Sequence, residues 1–279
     1  MAWALDLDGV VWLGTEGIPG AADSVAALQD AGETVLFVTN NSGRRVVDVE
    51  AKLAGHGIEA RGGVITSGMA AAAMVQPGEV VLGMCGPGAK EELEAAGATV
   101  VRDGPVDTVV VGIHEDFDYW RLTAGVQAIL GGARLLATNE DVTYPAHDGI
   151  RPGAGSIVAA LVAATGVVPV VAGKPHRPIC EVVLDRAAEG GIVVGDRPDT
   201  DGLLARALGW KFALVLSGVS NVTSPVGVYG GVVHLVLVTV AVGASVLLDV
   251  TCCFNGAYDD VGVEVLLGDH RGIHVPGSV

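Results

Sequence analysis

The sequence predicts an α/β protein: a Rossmann-like core with a parallel sheet, interrupted by a second, inserted α/β domain. Three observations carry this expectation. Up to about residue 219, short apolar runs alternate with segments of helical spacing, and strand–helix alternation builds parallel sheets covered by helices. Half of the 279 residues are apolar but only 4% are aromatic, so the bulk is Val, Ala, Leu and Gly, as suits strands buried on both faces. Pro77-Gly78 then punctuates the chain, and a second rhythm of the same kind begins after it.

The elements follow in order. A first strand ends at Leu5, and residues 21–31 have helical spacing through Val25 and Leu28, stopped by Gly32. Residues 34–38 form a continuous apolar strand, residues 46–54 a helix, residues 63–65 a short strand and residues 67–75 a helix. In the second rhythm, strands are expected at 80–83, 106–112 and 135–138, and helices at 89–96, 119–130 and 156–165, the last opened by Gly153-Ala154-Gly155. The first rhythm is expected to resume with Val170-Val171-Ala172-Gly173-Lys174. A helix at 179–188, a strand at 191–195, a helix at 202–208 and a strand at 212–216 follow. The predicted organisation is therefore 1–76 core, 77–168 inserted domain, 169–219 core and 220–279 an atypical apolar segment.

A net charge of −16 argues against nucleic acid, whose phosphates need Lys and Arg, and against an anionic membrane surface. The plain account of the acidity is solubility. Any bound phosphate must be held locally, by a metal, a few cations or backbone N–H groups. Cys85, Cys180, Cys252 and Cys253 have no zinc-like spacing. Reduced thiols in a cytoplasmic protein are expected. No basic stretch precedes an apolar one at the start, so no signal peptide is expected.

Four loops carry the chemistry. Asp6-Leu7-Asp8-Gly9 ends the first strand. Alternation would point both carboxylates the same way, and like charges there need a cation or a chemical task. Thr39-Asn40-Asn41-Ser42, Gly173-Lys174-Pro175 and Gly195-Asp196-Arg197-Pro198-Asp199-Thr200-Asp201 each follow another apolar strand. Taken singly, each has an ordinary structural account: a polar turn, a helix cap, a solvated lysine, a turn with an N-cap. Together, in order, all lie at carboxyl ends of strands, where open α/β sheets bind ligands.

These four segments resemble the haloacid dehalogenase (HAD) superfamily phosphatases of the NagD-like, C2a-capped kind. Val109-Val110-Val111-Gly112 with Phe117-Asp118-Tyr119, and 137–141 with 152–156, are similar to that family's cap. The likeness spans roughly residues 1–219. It implies a Mg²⁺-dependent phosphatase of small phosphate monoesters acting through an aspartyl-phosphate. Asp6 would be the nucleophile and Asp8 the general acid, then general base. Asp6, Asp196 and the backbone carbonyl of Asp8 would hold the metal. Thr39 and the Asn40 N–H would bind phosphoryl oxygens, and Lys174 would neutralise Asp6 and bind the phosphate. Asp201 would orient Lys174 or the metal's waters, and Asn41 the phosphate or Asp8. Relatives of the family cleave glycerol phosphate, phosphoglycolate, pyridoxal phosphate or nucleotides, and often form homodimers through the cap.

The leaving group would be read by the cap, through 113–117 and 147–151. His114 and His147 there are either surface histidines or readers. Glu115 and Asp116, if they face the pocket, would disfavour strongly anionic leaving groups and favour small polyol phosphates. Two rivals remain: a phosphotransferase or mutase with the same intermediate, and a non-catalytic phospho-ligand sensor, against which the presence of both Asp6 and Asp8 argues.

After Val219 the likeness fades. Residues 217–248 contain no Asp, Glu, Lys or Arg. Residues 231–248 just reach a membrane-spanning length, but they are rich in Val and Gly and lack flanking basic anchors. Buried strands, a tail without native meaning such as a shifted reading frame, and a membrane anchor all remain open.

Overall fold

The computed structural model describes residues 1–146 (the last two as backbone only), 149–187, 190–215 and 217–218, and the backbone of 263–267 and 271–275. Most of the apolar tail read above, together with His147, Cys252 and Cys253, lies outside the described residues.

In chain order the elements are β1 (Ala2–Leu5), β2 (Trp12–Leu13), β3 (Glu16–Gly17), α1 (Ala21–Asp30), β4 (Thr34–Thr39), α2 (Val46–Gly55), β5 (Val64–Thr66) and α3 (Ser67–Ala72). Then come β6 (Val80–Met84), α4 (Pro87–Ala95), β7 (Thr99–Val101), β8 (Thr108–Val111), α5 (Tyr119–Leu130), β9 (Arg134–Ala137), β10 (Thr143–Ala146), β11 (Gly149–Pro152), α6 (Ala154–Thr165) and β12 (Val170–Val171). The described chain continues with α7 (Arg177–Arg186), β13 (Gly191–Gly195), a π-helical turn (Pro198–Gly202), α8 (Leu203–Leu208), β14 (Lys211–Leu214), β15 (Val263–Leu267) and β16 (Arg271–Val275).

The chain forms two compact units, residues 1–35 with 188–279 and residues 36–187. In the first, β13 lies between β14 and β1, all parallel. The register pairs Leu5 with Val194 and Gly195 with Leu214. All five residues of β13 are buried. A strand covered on both faces gains about 1.5–3 kcal/mol from each large apolar side chain, so its sequence runs continuously apolar rather than alternating. β15 and β16 pair antiparallel.

In the second unit β4 pairs in parallel with β5, matching Thr39 with Thr66. A separate five-stranded parallel sheet has the order β12-β9-β8-β6-β7. Its core includes Leu82, Met84, Val109, Val111, Leu135, Ile157 and Leu161. Val170-Val171 therefore corrects the sequence expectation. These residues pair with Leu136 and Ala137 at the edge of this second sheet and do not reopen the first rhythm. A two-residue apolar run carries no signal for which strand it will join. The short β2–β3 and β10–β11 hairpins and β7 were also unread, being too short to show a period.

Among the described residues no helix is long and apolar enough to cross a membrane. Cys85 and Cys180 are free thiols. Burial pushes the Cys85 thiol up to about 12 and that of Cys180 to about 11.

Candidate active site

In the first unit, register brings carboxylates together. The ladder between β1 and β13 extends one residue further, with Asp6 N–H donating to the Val194 carbonyl at 2.8 Å. Asp6 and Asp196 thus leave adjacent parallel strands side by side. One carboxylate oxygen each from Asp6, Asp196 and Asp201 lies within 4.8 Å of the others. Asp196 is 2% exposed and Asp201 0%. Asp201 is turned back by the π-helical turn, where its N–H donates to the Arg197 carbonyl at 2.8 Å and its Oδ2 accepts the Arg197 N–H at 3.2 Å. Asp199 leaves the group, because its carboxylate pairs with the Arg197 guanidinium at 2.8 Å, which holds its pKa below the usual range.

The backbone presses closely on this group. A Cβ added to Gly195 would meet the Asp201 carboxylate at 2.3 Å, and one added to Gly9 would meet that of Asp196 at 2.6 Å. Gly9 also has φ +86°, a conformation that favours glycine. Three hard oxygen donors at this spacing, two of them out of solvent, suit a hexacoordinate cation such as Mg²⁺ and are costly without one.

Asp8 stands apart from that group, and strand alternation is not what places it. The regular strand stops at Leu5, and the Leu7 carbonyl accepts N–H groups from Val10, Val11 and Trp12 at 3.3, 2.8 and 3.2 Å. The Asp8 carboxylate accepts the indole N–H of Trp12 at 2.9 Å.

In the second unit, a polar cluster gathers around Asn40. Its Oδ1 accepts the Lys174 backbone N–H at 2.8 Å, and its Nδ2 donates to Asp141 at 3.0 Å and to the Lys174 carbonyl at 3.3 Å. Its own carbonyl accepts from Ser67 Oγ at 2.6 Å and Asn139 Nδ2 at 2.7 Å. Lys174 is 3% exposed, and its ammonium donates to the Val38 carbonyl at 3.1 Å. The register explains the meeting. The ladder of β12 with β9 runs on through Ala172, so Gly173 lies against the Thr138 carbonyl and Asn40 Oδ1. Thr39, also 3% exposed, accepts the Asn41 N–H on Oγ1 at 3.0 Å, so its hydroxyl proton can be offered elsewhere. Asn41 is exposed and its Oδ1 accepts the Gly43 N–H at 3.0 Å. Its side chain shapes its own turn.

The cap loop departs from expectation. His114 is buried at 8% exposure, not at the surface. Its Nδ1 lies 3.0 Å from the Gly112 carbonyl and must carry the proton to donate there. Its Nε2 is buried without a hydrogen-bond partner among the described residues. Burial is the main cause lowering its pKa. Glu115 pairs with Arg151 at 3.4 Å and Asp116 with Arg121 at 2.5 Å. Their charge is offset locally, which weakens the expectation that they repel anionic leaving groups.

Sequence reasoning missed Ser67, Asn139, Asp141 and Trp12. Asn139 and Asp141 sit in a cap-like motif already singled out and Ser67 opens the expected helix 67–75, yet the three partners lie 99, 101 and 27 residues away. Only Trp12, four residues from Asp8 and within the quoted motif, had a local signal.

Parallel strands ending in a buried acidic group, with a separately held aspartate two residues from Asp6, form an arrangement suited to a cation at the strand ends of an α/β sheet. Family models agree: residues 3–99 match haloacid dehalogenase-like hydrolase and residues 171–226 match HAD-hydrolase-like. An acid sugar phosphatase of Staphylococcus saprophyticus is 37% identical over 207 residues, covering 72% of this chain and 80% of the relative. A 5'-nucleotidase of Bacillus subtilis is 36% identical over 226 residues, 78% and 88% of the two chains. The glycerol phosphate phosphatase of Mycobacterium tuberculosis, solved in complex with magnesium, superposes with TM-score 0.73 at 37% identity, covering 78% of this chain and 68% of that one. The chain belongs to the haloacid dehalogenase-like hydrolase family.

Proposed function

We propose that this protein is a Mg²⁺-dependent phosphatase that hydrolyses small phosphate monoesters through an aspartyl-phosphate. The observation that carries it is the Asp6–Asp196–Asp201 group, with Asp8 held apart on its own hydrogen bond. A single carboxylate cluster would suit metal binding alone; the separate aspartate supplies a proton carrier.

Asp6 attacks phosphorus while the bond to the leaving oxygen breaks, and that oxygen takes a proton from Asp8. Water then attacks the phosphorus, giving its proton to Asp8 and releasing the Asp6 carboxylate. Thr39 and the Asn40 N–H bind phosphoryl oxygens, and the Lys174 ammonium compensates their charge. Asn41 serves its turn and contributes to phosphate binding only by shaping it. Asp6, Asp196 and the Asp8 carbonyl would hold the metal, with Asp201 completing the acidic group; a bound cation would supply positive charge to offset that of the phosphoryl group. The inserted sheet and its helices act as a cap that excludes water and reads the leaving group, and through it two copies pair as a homodimer.

The substrate class is a sugar or polyol phosphate, supported by relatives named for acid sugar and glycerol phosphate substrates. A cytoplasmic location is supported by the free thiols. Asp6→Asn should abolish turnover of p-nitrophenyl phosphate while circular dichroism stays unchanged, and EDTA should silence the wild-type protein until Mg²⁺ is restored. Retained turnover in Asp6→Asn would sink the nucleophile assignment. A panel of sugar phosphates, glycerol phosphates, phosphoglycolate, pyridoxal phosphate and nucleotides ranks the substrates.

A further inference from the structure

Trp12 is tied to the turn that carries Asp8 by its backbone and by its side chain. Its N–H donates to the Leu7 carbonyl at 3.2 Å, and its carbonyl accepts the Gly9 N–H at 2.7 Å. Its indole is 4% exposed and donates from Nε1 to Asp8 Oδ1 at 2.9 Å. The same residue opens the β2–β3 hairpin, pairing with Gly17, and the hairpin's far end is anchored by Ile18 N–H to the Val11 carbonyl at 2.9 Å. The donor is therefore rigid. The acceptor, Asp8, is exposed, and a carboxylate side chain has several staggered rotamers among which a fixed donor can select.

We propose that Trp12 is a positioning residue for Asp8, a role that rests on Asp8 being the acid–base group proposed above. The indole N–H fixes the Asp8 carboxyl in one rotamer, so that the proton meets the leaving-group oxygen as the phosphorus–oxygen bond breaks. An indole suits this task for two reasons. It donates one hydrogen bond and accepts none, so it cannot compete for the proton being delivered. In addition, Oδ1 can accept from Trp12 whether the carboxyl is neutral or ionised, so the contact persists through both halves of the reaction.

The consequence is a dependence on the leaving group. p-Nitrophenolate departs without a proton, whereas an alkoxide does not. Two variants separate the hydrogen bond from packing. Trp12→Phe removes the N–H and some volume. Site-specific benzothienylalanine at position 12 keeps the bicyclic shape and replaces only the N–H by sulfur. We expect kcat/KM for p-nitrophenyl phosphate to change less than about threefold in the isosteric variant. For an alkyl phosphate it should fall roughly 10- to 100-fold, since a positioned general acid contributes about 10²–10⁴-fold and orientation is part of that. A plot of log kcat/KM against leaving-group pKa should become steeper.

A purely structural role for Trp12 would lower all substrates alike, and parallel losses overturn the proposal, as does a wild-type slope in the benzothienylalanine protein. If Trp12→Phe does not fold, the isosteric variant alone decides. Asp8→Asn is measured beside them. Wild-type alkyl phosphate hydrolysis in Asp8→Asn overturns the acid–base assignment itself. Loss there, with an unchanged slope in the position 12 variants, overturns only the role of Trp12.

Discussion

The side-chain oxygen of Asn40 accepts the backbone N–H of Lys174 at 2.8 Å. A residue expected to touch phosphate through its backbone thus spends its side chain on holding the lysine's segment in place. The same amide donates to Asp141 at 3.0 Å, and the Asp141 N–H donates to Asn139 Oδ1 at 3.1 Å, while Asn139 reaches back to the Asn40 carbonyl at 2.7 Å. Two loops that are distant in sequence close into one ring of hydrogen bonds, and the Lys174 segment is tied to that ring through Asn40.

Asn40→Ala should therefore destabilise the protein by about 2 kcal/mol, since each buried polar group left unmet costs roughly 1–3 kcal/mol. The denaturant midpoint reads this directly. Turnover should fall as well, because the Lys174 backbone loses its tether. An unchanged midpoint would show that the amide is dispensable and that the ring does not hold these loops.

How far this was legible in the sequence differs between elements. Strands such as β8 and β13 could be read because every residue in them is buried, which leaves a continuous apolar run. Asp6 and Asp196 could be read because each follows such a run, and Lys174 because it follows a short apolar one; ligands gather at strand ends. The partner of Val170-Val171 could not be read, because edge pairing is decided by the whole sheet. The bend at Leu7 was hidden too: alternation assumes a strand that continues, and this one stops at Leu5. The burial of His114 was hidden because a lone histidine in a polar loop looks the same whether or not a cap folds over it.

The acidic group makes a prediction about stability as well as activity. Three carboxylate oxygens within 4.8 Å repel one another. Asp196→Asn removes one charge without changing shape. In EDTA its thermal midpoint should lie above that of the wild type. On adding Mg²⁺ the order should reverse: the wild type gains about 2.7 kcal/mol at a hundred times its Kd, and the variant gains little. A variant that keeps the full Mg²⁺ shift would remove Asp196 from the metal site.

Gly195 tests the same group from the backbone side. Its added Cβ would meet Cβ, Cγ and Oδ2 of Asp201, all at 2.3 Å, a contact that real side chains do not make. Gly195→Ala must push Asp201 aside. The Mg²⁺ concentration for half-maximal activity should rise at least tenfold, with circular dichroism preserved. Normal Mg²⁺ dependence would mean that Asp201 can retreat without consequence for the site.

His114 predicts a pH dependence whose sign can be worked out. Burial lowers its pKa from 6.5, so the folded protein holds the imidazole neutral while the unfolded chain titrates near 6.5. Above that pH both states are neutral and the stability is fully present. As the pH falls below it, the unfolded chain binds a proton that the folded protein refuses. Stability is then lost until the pH passes the lowered folded value, with a slope of at most about 1.4 kcal/mol per pH unit for one proton. His114→Asn can retain donation to the Gly112 carbonyl and has nothing to titrate. The difference in unfolding free energy between wild type and variant should be flat from pH 8 to about 7 and should shrink or reverse toward pH 5, because only the wild type pays for the unprotonated ring. A difference that stays constant across the range would mean that the folded protein protonates His114 as readily as the unfolded chain does, with water or a hydrogen-bond acceptor reaching Nε2.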